Sequence, residues 1–111
     1  MVFSNSEVAA DYLVRLELRM PGLPEWYHFF KLWEESGEVP KAYPQMMGMH
    51  RHGDDVDEDH LLEELADTVI TCYAIALQRH RDLDAAIRSK HTVLMTMAMK
   101  DGGTDGTNRL S

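Results

Sequence analysis

The stretch DHLLEELADTVITCYAIALQRH, residues 59–80, decides the fold. Leu61, Leu62, Leu65, Val69, Cys72, Tyr73 and Ala76 recur in it at helical spacing, with no Pro or Gly between them. A repeat near 3.6 residues lines apolar side chains along one stripe of a helix. The spacing therefore predicts a helix over 59–80 with that stripe buried.

Downstream, Asp82 is placed to cap a further helix running to about Lys100, with Leu83, Ile87, Leu94, Met97 and Ala98 as its buried stripe. Asp101, Gly102 and Gly103 end it, and 101–111 reads as a flexible polar tail. Upstream, residues 41–57 contain Pro44, Gly48 and Gly53 and no sustained period, so they read as a loop, either a functional lid or a plain surface excursion. Before it, a helix beginning at Pro24 or Glu25 carries Trp26, Phe29, Phe30, Trp33 and then Glu34, Glu35 and Glu38, and ends or kinks at Pro40. A first helix places Val8, Tyr12, Leu13 and Leu16 on one face, capped by Ser6 and broken by Pro21, Gly22 and Pro24. No strand pattern competes. The expected architecture is all-α, a four-helix antiparallel bundle-like arrangement in a single domain, 1–111. So short a chain buries only about 65% of its unfolded surface, which favours a homodimer or homotetramer.

Hydrophobic residues form 44% and charged residues 27% of the chain, which is globular rather than disordered usage. The single Cys72 forms no intramolecular disulfide, and no start of the chain resembles a secretory leader, so a cytoplasmic protein is expected. Charges interrupt every apolar stretch before it reaches membrane-spanning length, so no membrane partner is expected. The net charge is −8, and the eight acids between His52 and Gln78, unaccompanied by Lys or Arg, account for all of it. A local acidic field repels nucleic acid and attracts cations, so no nucleic-acid partner is expected.

Glu34, Glu35 and Glu38 repeat the spacing of Glu63, Glu64 and Asp67. At about 100° per residue each triplet occupies one side of its helix. Like charges three or four residues apart destabilise a helix unless something compensates them. Lys31 and Lys41 are within reach of the first triplet, whereas the second has no Lys or Arg three or four residues away. The two readings are a solvated polar face and a cation site at a groove edge, since Leu61, Cys72 and Ile70 flank the second triplet. All-carboxylate ligation suits Mg²⁺, with Mn²⁺ as the substitute. Zinc fits less well: His50, His52 and His60 lack the companion Cys or His spacing of zinc sites. The acids of 54–59 lack the glycine and terminal Glu of an EF-hand loop.

The segment Trp33-Glu34-Glu35-Ser36-Gly37-Glu38, followed by Glu64-Leu65-Ala66-Asp67, resembles the EExxE and ExxD motifs of the MazG-like, all-α nucleoside triphosphate pyrophosphohydrolases. The resemblance covers about residues 24–100. It implies Mg²⁺-dependent cleavage of a nucleoside triphosphate, NTP or dNTP, to the monophosphate and pyrophosphate. It implies Glu34, Glu35, Glu38, Glu64 and Asp67 as metal ligands or water-orienting groups, with Glu35 or Glu38 as general base. Similar proteins carry a Lys on the last helix, which points to Lys90 and its neighbour Arg88 as phosphate contacts. Their usual Asn and basic residue further on are replaced here by the region of Leu94 and Met95.

Trp26, Phe30 and Trp33 are either core or, for Trp33 above all, a platform for a base. Met95, Met97 and Met99 read as adaptable packing or a dimer surface. Two further readings stand beside the triphosphate hydrolase: a related phosphoribosyl-ATP or dUTP/dCTP pyrophosphatase, and a non-catalytic helical module whose acidic face binds a basic partner.

Overall fold

The computed structural model describes residues 2–48 and 58–100, and among these every regular element is helical. Four helices follow in order: α1 (Asn5–Arg19), α2 (Glu25–Met46), α3 (Glu58–Gln78) and α4 (Leu83–Lys100). Residue contacts group the chain into two units, Met1–Arg81 with the first three helices and Asp82–Ser111 with the fourth. Within the first unit α3 packs against both α1 and α2. No described helix is long and apolar enough to cross a membrane.

The helix ends follow from local chemistry. Ser4, not Ser6, caps α1: its hydroxyl accepts from the Glu7 backbone N–H at 3.1 Å, and the Glu7 carboxylate accepts from the Ser4 N–H at 2.9 Å. Only Ser4 has a Glu three residues on to close this reciprocal box, so the helix starts ahead of Ser6. Between α1 and α2 the chain turns at Gly22, φ +75°, whose N–H donates to the Glu17 carboxylate at 3.1 Å. Asp82 caps α4 as expected, its carboxylate accepting from the Ala85 N–H at 3.2 Å.

The larger departure lies in α2. The expected loop from residue 41 is helical as far as Met46, through both Pro40 and Pro44. Each proline deprives the carbonyl four residues earlier of its N–H partner, a loss of about 3 kcal/mol in a helix interior. Ser36, Pro40 and Pro44 are all exposed, so water can reach those carbonyls. Ala42, between the prolines, is 1% exposed, and its burial favours the helical continuation against the local preference. Residues 49–57 of the expected loop, with His50, His52 and the acids of 54–57, lie outside the described residues, as does the expected tail 101–111.

The buried face is the expected one only in part, through Leu16 on α1 and Tyr73 on α3. Ala9, Leu16, Ala42, Tyr73 and Ala74 are buried together with His28 and Thr71. On α3 the inward face runs through Thr71 and Ala74, while Leu62, Leu65 and Val69 of the expected stripe are exposed. Small side chains let helices approach closely, and the Thr68 and Thr71 hydroxyls are satisfied by donating to the Glu64 and Asp67 carbonyls at 2.9 Å. Cys72 is half-buried rather than buried. Trp26, Phe29, Phe30 and Trp33 are exposed, so the aromatic stripe of α2 is not core in this chain. On α4, Ile87, Leu94 and Met97 of the expected stripe are exposed.

His28 is 2% exposed and meets the Gln78 side chain with 3.0 Å between the two Nε2 atoms. A carboxamide nitrogen only donates, so the imidazole Nε2 accepts and the ring proton sits on Nδ1, which is buried without a partner. Burial depresses the pKa below the ordinary 6.5, opposed by the nearby Glu25 charge. The unfolded chain therefore takes up the proton first as pH falls through about 6.5, and the stability present above that value is lost below it. Denaturant midpoints measured from pH 7 to pH 5 are expected to fall for the wild type and to fall less steeply for His28→Gln.

α3 ends with the Arg81 N–H bonded to the Ala76 carbonyl at 2.9 Å and the His80 N–H to the Leu77 carbonyl at 2.9 Å. This paired closure requires a left-handed residue at the helix end, and His80 adopts it at φ +56°. A side chain in that conformation costs about 1–2 kcal/mol, which glycine avoids at some entropic expense. His80→Gly is expected to raise stability by up to about 1 kcal/mol, read as a melting temperature several degrees higher.

Candidate functional site

The α2–α3 contact determines which acids meet. One carboxylate oxygen each from Glu35, Glu64 and Asp67 lies within 4.8 Å of the others. Glu35 and Glu64 are half-buried and Asp67 is exposed. Glu64 and Asp67 share a face because they stand three residues apart on one helix.

Glu34, Glu38 and Glu63 lie outside this set. The Lys31 Nζ donates to Glu34 at 2.8 Å and lies 3.3 Å from Glu35, while the Lys41 Nζ lies 3.5 Å from Glu38. The hydrogen bond to Glu34, then that to Glu35, raises the Lys31 pKa against the opposing effect of burial, so this side chain is a permanent ammonium. His60 Nε2 approaches the Glu64 carboxylate at 3.4 Å.

Glu35 and Asp67 also line a cleft of about 270 Å³ with Tyr12, Arg19, Tyr27 and Lys31. Three helical stripes form it. Tyr12, Leu16 and Arg19 come from α1, Tyr27, Lys31 and Glu35 from α2, and Asp67, Ile70 and Thr71 from α3. Ile70 stands where the expected groove edge requires an apolar flank. Burial, then the neighbouring Tyr27, raises the Tyr12 pKa, so its phenol remains a proton donor at neutral pH. Burial likewise raises the Cys72 thiol, which disfavours the reactive thiolate.

Sequence reasoning passed over Arg19 and Tyr27. The signal was available in their spacing: Arg19 follows Leu16 by three residues, and Tyr27 precedes Lys31 and Glu35 by four and eight. Of the expected substrate contacts, Arg88 and Lys90 are exposed on α4. Trp33 is 73% exposed, with its ring edge-on to Phe30 at a centroid distance of 5.7 Å.

The donor set can be tested against a magnesium ion. Mg–O distances of about 2.0–2.1 Å put ligand oxygens on opposite sides of the ion at about 4.2 Å and adjacent ones at about 3 Å. Three oxygens within 4.8 Å of one another are close to those separations. An all-oxygen set with three protein ligands suits Mg²⁺ or Mn²⁺, which retain waters and bridge to phosphates. No protein-family model, no curated protein and no solved structure matches this chain.

Proposed function

We propose that this chain is a Mg²⁺-dependent nucleoside triphosphate pyrophosphohydrolase, active also with Mn²⁺, that converts an NTP or dNTP to the monophosphate and pyrophosphate. The reading is supported by one observation above the others: the convergence of Glu35 from α2 with Glu64 and Asp67 from α3. These are members of the two acidic motifs that carry the resemblance to the MazG-like family.

In this reading Glu35, Glu64 and Asp67 hold the dication, with Glu34 and Glu38 as supporting acids. A bound dication withdraws charge from phosphoryl oxygens and lowers the pKa of a coordinated water. Glu38, placed outside the trio, or Glu35 takes the proton from the attacking water. Arg88 and Lys90 are proposed contacts to phosphate, and Trp33 offers an exposed ring to the base. A cytoplasmic location accords with this chemistry.

We also assign the active form as a homodimer or homotetramer built as a four-helix antiparallel bundle. Support comes from the exposure of Trp26, Phe30, Leu62 and Val69, which is more large apolar surface than a soluble monomer usually presents. Light scattering should give a mass of two or four chains, and Leu62→Glu should lower it. A mass of 12.7 kDa at micromolar concentration would contradict the assignment.

Pyrophosphate release from a panel of triphosphates is expected to require Mg²⁺. Removing a general base commonly costs about 10²–10⁴ in rate, so Glu38→Gln and Glu35→Gln should each be tested against that range. Asp67→Asn removes a ligand at an exposed position and is expected to fall by a similar factor without loss of fold. Unchanged activity in Asp67→Asn and Glu35→Gln would mark a contaminant and sink the enzyme reading. Rates on dUTP, dCTP and phosphoribosyl-ATP separate the related pyrophosphatases. Uptake of a basic partner with no hydrolysis would favour a binding module.

A further inference from the structure

The cleft beside the acidic trio contains cations and phenols that the metal reading does not use. Arg19 makes no side-chain hydrogen bond or ion pair among the described residues, in contrast to Arg15, which is held by Asp11 at 2.7 Å, and Arg79, held by Glu25 at 2.8 Å. Lys31 spends two of its three donors on Glu34 and Glu35 and retains a third. Tyr12 and Tyr27 line the same cleft.

We infer that Arg19 and Lys31, with the phenols of Tyr12 and Tyr27, bind the phosphate chain of the substrate in this cleft. The inference rests on the pyrophosphohydrolase reading and supplies it with an anion-binding wall in the same unit as the three carboxylates.

Charge argues for it. One dication leaves one of the three carboxylate charges uncompensated, so a polyphosphate approaching them needs further positive charge from the protein. When Glu35 turns its charge to a metal, its hold on the Lys31 ammonium weakens and that ammonium is available to phosphate. Arg19 adds a planar fork of donors suited to phosphate oxygens.

Size argues for it too. Small-molecule pockets commonly enclose about 300–1,000 Å³. At about 270 Å³ the cleft falls just below that range, enough for phosphate groups and an ion but not for a whole nucleotide. The base then lies outside the cleft, and affinity concentrates on the phosphate chain.

The test is titration calorimetry of the full chain with inorganic pyrophosphate, with Mg²⁺ and separately in a chelator, beside a titration with Mg²⁺ alone. Arg19→Gln is exposed and does not threaten the fold. It is expected to weaken pyrophosphate binding about tenfold or more, the usual effect of losing a charge-assisted hydrogen bond, while Mg²⁺ uptake is retained. Arg19→Lys should recover part of the loss. Arg15→Gln, which removes a cation one turn away, should change binding less than twofold. Pyrophosphate binding by Arg19→Gln and Lys31→Gln at wild-type strength, with metal uptake intact, would overturn the inference. Wild-type protein that takes up no Mg²⁺ but binds pyrophosphate through Arg19 in chelator would overturn the metal reading and uphold this one.

Discussion

The contact between α2 and α3 holds carboxylates from two helices within 4.8 Å of one another, and the candidate chemistry depends on that contact. Two like charges about 4 Å apart repel by roughly 1 kcal/mol in water and roughly 4 kcal/mol at the dielectric typical near a protein surface. The helices must therefore be held together by something other than the site itself. Small buried side chains, Ala42 on α2 and Thr71 and Ala74 on α3, allow the close approach. The Lys31 ammonium offsets part of the repulsion at Glu35.

The same architecture explains the shape of the cleft. Three helices of the first unit each contribute one stripe, and the stripes differ in character. α1 brings Tyr12 and Arg19, α2 brings Tyr27, Lys31 and Glu35, and α3 brings Asp67. Cations and acids share one wall space because the helices are adjacent, although in sequence Arg19 and Asp67 are far apart. A shallow site of mixed charge suits an ion together with its counter-anion better than it suits an ion alone.

The core of the first unit is thin. Its buried apolar residues are mostly small, and no large side chain is below 2% exposure among the described residues. Apolar rings and branched side chains instead lie outward on α2 and α3. Stability per residue depends on buried area, so a chain arranged this way gains from covering those faces.

Much of this was legible from the residues alone. The helical period of 59–80, the Asp82 cap and the breakers at Pro21, Gly22 and Pro24 depend on local spacing and backbone chemistry, which neighbours in sequence largely control. Those same local features placed Glu35, Glu64 and Asp67 on usable faces of their helices. Tertiary structure decided the rest. A period identifies a stripe without saying which side another helix will cover, so Leu62, Leu65 and Val69 lie exposed where burial was expected. Proline chemistry argues for ending α2 at Pro40, yet the helix continues to Met46 with Ala42 buried, a tertiary effect that local spacing does not encode. The grouping of Arg19 with Glu35 and Asp67 likewise arises from the packing of three helices, because proximity across helices is set by packing and not by sequence spacing.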